Sequence, residues 1–72
     1  MELSISPHAR ARMEQRGVTE QEIVETLSNP DLTRPGNKPD RTIYERNIGK
    51  IVCVVTVDQT NPLVIVSAWK KN

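Results

Sequence analysis

Apolar positions recur along this chain with two different periods, and the change of period divides it. Ala9 and Met13, then Ile23, Val24 and Leu27 beyond a break at Gly17, fall at the three- and four-residue spacings of helices with one apolar side. From Arg41 onward the period shortens toward two. β-branched residues then dominate the runs Ile51–Val57 and Leu63–Trp69, as strands favour. The helix limits are written locally. Ser6 is a good N-cap, and Pro7 suits the first helical position, whose amide has no intrahelical partner. Gly17 stands where a helix closes in the left-handed conformation. Thr19-x-x-Glu22 is a capping box, with Val18 and Ile23 as its hydrophobic staple. Asn29-Pro30 stops the second helix, because proline disfavours helical geometry in the residue before it. These signals predict an αα-hairpin over residues 7–28.

Pro30, Pro35, Gly36, Asn37, Pro39 and Asp40 punctuate the next segment, in which Leu32–Arg34 reads as a short edge strand. Three strands follow, over Arg41–Asn47, Lys50–Val57 and Leu63–Trp69. Ile48-Gly49 serves as a two-residue turn and Asp58–Pro62 as the next connection. The predicted fold is therefore α+β: one domain over residues 1–72, with an N-terminal αα-hairpin packed on a three- to four-stranded antiparallel meander sheet. A turn at Ile48-Gly49 sets Arg46 opposite Ile51, Tyr44 opposite Cys53 and Ile43 opposite Val54. One sheet face then carries Ile43, Val52, Val54, Val64, Val66 and Ala68. The other carries Tyr44, Arg46, Ile51, Cys53, Val55, Val57, Leu63, Ile65 and Trp69. Both faces are apolar, yet two short helices cover only one. Either the second face meets a partner, a homodimer being one form of this, or the 30–40 loop and the termini cover it.

Composition narrows the function classes. A chain of 72 residues makes one small domain, burying only about 60% of its unfolded surface. One cysteine, Cys53, leaves no intrachain disulfide, and with one histidine it leaves no Cys/His zinc site within the chain. Cys53 lies in an apolar run and reads as a small buried residue. No metal or cofactor is expected. Nothing resembles a signal peptide, and no apolar run approaches the ~20 residues of a membrane span, so a reducing cytoplasm is the expected location. The net charge of +1 does not itself point to nucleic acid. Its distribution says more: residues 20–31 carry a net of −4, residues 34–50 a net of +3, and Arg10, Arg12, Arg16, Lys70 and Lys71 extend the positive side.

His8, Arg12 and Arg16 recur every four residues, which places them in one column beside the Ala9–Met13 stripe. Metal-independent RNA cleavage needs a base for the 2′-hydroxyl proton, an acid for the leaving oxygen, and cations for the phosphorane. Histidine titrates in the right range, and arginine clamps phosphate with two nitrogens. His8 is thus a candidate general acid or base, Arg12 and Arg46 candidate phosphate clamps, and Tyr44 a candidate positioning or proton-transfer group. Arg16, Arg41, Lys50 and Lys70 are candidate substrate contacts. Scaffold readings stand beside these: His8 tying the helix to a loop, Arg10 paired with Glu14, Arg12 and Arg16 paired with the acidic second helix, and Lys70 and Lys71 as a solubilising tail.

The element His8-Ala9-Arg10-x-Arg12-Met13-x-x-Arg16-Gly17-Val18-Thr19 continues into Ile23 and Leu27-x-Asn29-Pro30. With Tyr44-x-Arg46, a Gly-Lys hairpin and two apolar strands, the last ending in an aromatic, it resembles the bacterial domain of unknown function 4258 over nearly the whole chain. That family is similar to RelE/ParE-like and BrnT-like toxins, within the wider group of barnase-, EndoU-, colicin- and RelE-type ribonucleases. The resemblance implies a toxin-like endoribonuclease of a type II toxin–antitoxin system, with an antitoxin protein as partner and RNA as substrate. By match, His8, Arg12 and Arg16 occupy the family's polar helix positions, and Tyr44 and Arg46 its strand positions. The near-neutral charge departs from the strongly basic RelE-type toxins. Two further readings remain open: a non-catalytic protein-binding or self-associating module, and a nucleic-acid-binding domain without cleavage.

Overall fold

The computed structural model describes residues 2–71. Its elements are β1 (Leu3–Ile5), α1 (Pro7–Arg16), α2 (Glu20–Ser28), β2 (Leu32–Pro35), β3 (Arg41–Asn47), β4 (Ile51–Val57) and β5 (Leu63–Lys71). The helix signals act as expected. The Ser6 hydroxyl accepts from the Ala9 amide at 3.1 Å. Gly17 closes α1 at φ 69°, where its amide reaches the Glu14 carbonyl and that of Val18 reaches the Met13 carbonyl. The capping box opening α2 is reciprocal: Thr19 Oγ1 accepts from the Glu22 amide at 3.1 Å, and Glu22 Oε1 from the Thr19 amide at 2.8 Å.

The sheet has five strands in the order β1-β5-β4-β3-β2, and β1 runs parallel to β5 while every other pairing is antiparallel. This corrects the purely antiparallel three- to four-stranded expectation. Three residues, Leu3–Ile5, are too few to show a period, and their partner Leu63–Ile65 lies at the far end of the chain. The expected edge strand at Leu32–Arg34 is present as β2, beside β3.

Two register details redistribute the faces. Lys50 belongs to the β3–β4 loop, so Asn47 pairs with Ile51, Tyr44 with Val54 and Ile43 with Val55. The Ile48 amide closes the loop on the Lys50 carbonyl, and Gly49 takes φ 107° with its amide donating to Asn47 Oδ1. Since side chains alternate, this one-residue slip from the two-residue turn inverts β3 against β4. In β5, Val66 is an extra residue between Ser67, opposite Val55, and Ile65, opposite Thr56. The bulge turns Ile65 to the same side as Ala68.

The face under the helices therefore holds Tyr44, Val52, Val54, Ile65 and Ala68, which meet Met13, Val18, Ile23 and Leu27 in one core. α1 lies over β5, and α2 over β4 and β3. The opposite face carries Ile43, Glu45, Cys53, Val55 and Trp69, and among the described residues no helix packs upon it. Tyr44, Arg46 and Ile65 thus leave the second face to which the two-residue turn would assign them. Among the described residues, no helix is long and apolar enough to cross a membrane.

Candidate functional site

α1 presents its polar column outward because Ala9 and Met13 take the core side. His8 is exposed, and its Nε2 accepts a 3.0 Å hydrogen bond from Arg12 Nε. One turn on, Arg16 leans toward the sheet. β1 covers β5 only at Leu63–Ile65, so among the described residues the strand has no neighbouring strand on that side beyond Val66. Arg16 Nη1 caps this open edge, donating to the Ala68 carbonyl at 3.2 Å and to Ser67 Oγ at 3.4 Å. Arg16, Ser67, Trp69 and Lys70 line a shallow depression there. The column thus holds an imidazole hydrogen-bonded to one guanidinium and, a turn further on, a second guanidinium over the strand edge.

The scaffold readings of this region need correction. Arg10 meets Glu20 at 3.8 Å across the helix turn, and it is this residue, not Arg12 or Arg16, that reaches the acidic second helix from α1. Lys70 is held by Glu22 at 3.0 Å, so it lies on the helix side as an ion-pair partner and not as a loose tail. Glu22 ionises below the ordinary carboxylate range, first because it accepts from the Thr19 amide and then because of Lys70.

The strand candidates do not join the column. Arg46 lies under the end of α2, where its Nη1 donates to the Asn29 carbonyl at 2.8 Å and its buried Nε has no hydrogen-bond partner. A cation at a helix C-terminus compensates the exposed carbonyls there, so this geometry gives Arg46 a structural task. Tyr44 packs partly buried against the core. Lys50 sits exposed in the β3–β4 loop. Arg41 projects onto the helix-free face, with Asp40 Oδ1 2.6 Å from its Nη1.

That face holds a second polar cluster. Glu45 is only 5% exposed, yet its carboxylate takes Arg34 Nε at 2.8 Å from β2 and Lys71 Nζ at 3.3 Å from β5. The Arg34 bond, then Lys71, holds Glu45 ionised below the usual carboxylate range against the cost of burial. A carboxylate so stabilised is a weak proton acceptor. Its role is to hold two cations on the sheet surface. Cys53 lies beside it, fully buried, its thiol pushed up by burial first and by Glu45 next, as an unreactive core residue. Arg34 and Glu45 were not singled out in the sequence, and Lys71, expected as part of a solubilising tail, is instead an ion-pair partner of Glu45. The available signal was an acid two residues from Ile43, on the side of β3 that meets the apolar run of β4, but its partners appear only once the register is known.

The family model described as domain of unknown function (DUF4258) matches residues 5–70. The chain belongs to this family. No curated protein matches it. No solved structure matches it. The match to DUF4258 takes in both helices and strands β2 to β4, with His8, Arg12, Arg16 and Trp69 among its residues. Within this DUF4258 domain the α1 column and the open edge of β5 form the most coherent group of exposed chemistry.

Proposed function

We propose that the protein is a toxin-like, metal-independent endoribonuclease restrained by an antitoxin protein, with its chemistry on α1 rather than on β3. The observation that carries this reading is the His8–Arg12 pair: an imidazole and a guanidinium 3.0 Å apart on an exposed helix face, where packing demands neither. The resemblance of DUF4258 to RelE/ParE-like and BrnT-like toxins supports it. In the proposed reaction the 2′-hydroxyl displaces Arg12 Nε from His8 Nε2, the one acceptor nitrogen of the neutral imidazole, and that nitrogen takes the hydroxyl proton as the oxygen attacks the adjacent phosphorus. The P–O5′ bond breaks, leaving a 2′,3′-cyclic phosphate, and the 5′-oxygen leaves with a proton delivered by the imidazolium or by water. Arg12 spends only Nε on His8, so its terminal nitrogens suit the phosphate oxygens, while Arg16 adds positive charge alongside. Tyr44 and Arg46 act here as scaffold; Lys70 lies beside Arg16 but is paired with Glu22, and Arg41 and Lys50 lie away from the column.

Induction of the chain alone in bacteria tests this. Growth should stop, and His8→Ala should restore it, general acid–base groups contributing about 10²–10⁴-fold to rate. Unimpeded growth with the unaltered chain, and RNA left intact by the purified protein, would refute the proposal.

A second reading has its own support. β4 is apolar on both faces, and Ile51, Val55, Val57 and Trp69 remain partly exposed on the helix-free side. Partly exposed apolar surface of this kind favours a module that self-associates or docks another protein. Sedimentation would reveal it as concentration-dependent dimerisation abolished by Val55→Glu.

A further inference from the structure

On the helix-free face a groove enclosing about 300 Å³ lies between β3, β5 and the loop that follows β2. Ile43, Val55 and Val66 are apolar residues of its lining, Trp69 adds an aromatic surface, and Lys38 and Arg41 bring two cations, Arg41 being paired with Asp40, while Glu45 of the same face is already held by Arg34 and Lys71. The loop is held close to β3 because Gly36 lacks a side chain: its amide donates to the Arg41 carbonyl at 2.9 Å, and a Cβ there would lie 2.6 Å from that of Arg41. The volume stands at the small end of the ~300–1,000 Å³ typical of ligand pockets, which suits one nucleotide unit and not a large cofactor. Apolar walls with an aromatic side chain accept the π-face of a base, and cations at the same site accept its phosphate.

Position adds a second argument. Ser67 and Trp69 line both this groove and the depression they share with Arg16 and Lys70 on the other side of the β5 edge. A strand of RNA engaged by Arg12 and Arg16 therefore has a continuous path over that edge, with cations and an aromatic along the way. We infer that the groove is a nucleotide-binding subsite for single-stranded RNA, in which a base stacks on Trp69 and the neighbouring phosphate meets Lys38 and Arg41. The inference rests on the ribonuclease reading for its placement beside a cleaved bond, but the binding it asserts is separable from cleavage.

Trp69 is the only tryptophan, so its fluorescence reports the site directly. The probe is a 2′-O-methylated single-stranded RNA, which cannot be cleaved by attack of its 2′-oxygen, compared with an abasic strand of equal length. The full chain should bind the first with quenching of Trp69, and the abasic strand should quench far less. Lys38→Ala, in the exposed loop, should weaken binding several-fold and reduce its salt dependence by about one phosphate contact. Trp69→Ala should weaken it about tenfold or more, with Trp69→Phe recovering part of the loss. His8→Ala should still show the quenching. RNA that binds or is cleaved without disturbing Trp69, equal quenching by the abasic strand, or binding indifferent to Lys38→Ala would overturn the subsite while leaving the ribonuclease reading intact. Stacking without any cleavage of ordinary RNA would sustain the subsite and remove that reading. A change in Trp69 emission on dilution without RNA, with no response to RNA, would give the face to a second copy of the chain and overturn the inference.

Discussion

Beneath the helices, Val52, Val54, Ile65 and Ala68 are fully enclosed by Met13, Ile23 and Leu27. One residue along from Val54, Val55 points the other way and remains partly exposed beside Trp69 and the Arg34–Glu45–Lys71 cluster. The covered face excludes water with close-packed aliphatic groups. The open face uses long cationic side chains, whose methylene stems shield apolar neighbours while their heads stay in solvent. The contrast separates a face closed by packing from one that leaves charge and apolar surface partly exposed.

The sharpest way to break this comparison is to remove the centre of the covered side. Ile23 is fully buried, so Ile23→Ala should cost about 2–5 kcal/mol, read as a lower urea midpoint. For a chain of this size that is a large share of total stability.

Glu45→Gln tests whether the open face is more than a surface. Arg34 and Lys71 are nearly half exposed and can regain water, so the loss should be about 1–3 kcal/mol rather than that of an isolated buried charge. The pH dependence carries the sign. Glu45 is depressed in the folded state, so its contribution is present above the unfolded value of about 4.3 and is lost as pH falls through the lower folded value. Acid titration should destabilise the unaltered chain below about pH 4.3, and Glu45→Gln should make that decline shallower. Glu22 acts with the same sign, so part of the decline should persist.

The smallest effect is that of Val55→Thr, seen when one substitution is made at two adjacent positions. Val54→Thr buries a hydroxyl among apolar groups and should cost about 1–3 kcal/mol, whereas Val55→Thr should stay within about 0.5 kcal/mol. Equal costs would mean that the open face is as well covered as the other.

The helices were legible because their signals are local: Ser6, Pro7, Gly17, Thr19 and Glu22 each act within four residues of their partners. The sheet was legible in its strands but not in its register. A turn at Ile48-Gly49 and a loop of Ile48, Gly49 and Lys50 differ by one residue, and only the second keeps Tyr44 and Val54 on the same side. β1 escaped because its partner is remote, and the bulge at Val66 because nothing in a run of β-branched residues marks an extra one. The candidate site divided along the same line. His8, Arg12 and Arg16 lie on one helix, whose period places them together, and the imidazole–guanidinium contact follows. Tyr44 and Arg46 depended on register and on what α2 covers, and the Asn29 carbonyl claims Arg46.

The most direct test of the account incubates the purified protein with single-stranded RNA in excess chelator and analyses the new ends. The α1 reading predicts 2′,3′-cyclic phosphates from the unaltered chain, with yield falling about 10²–10⁴-fold for His8→Ala and unaffected by the chelator. Intact RNA, or cleavage that His8→Ala leaves unchanged, would contradict it.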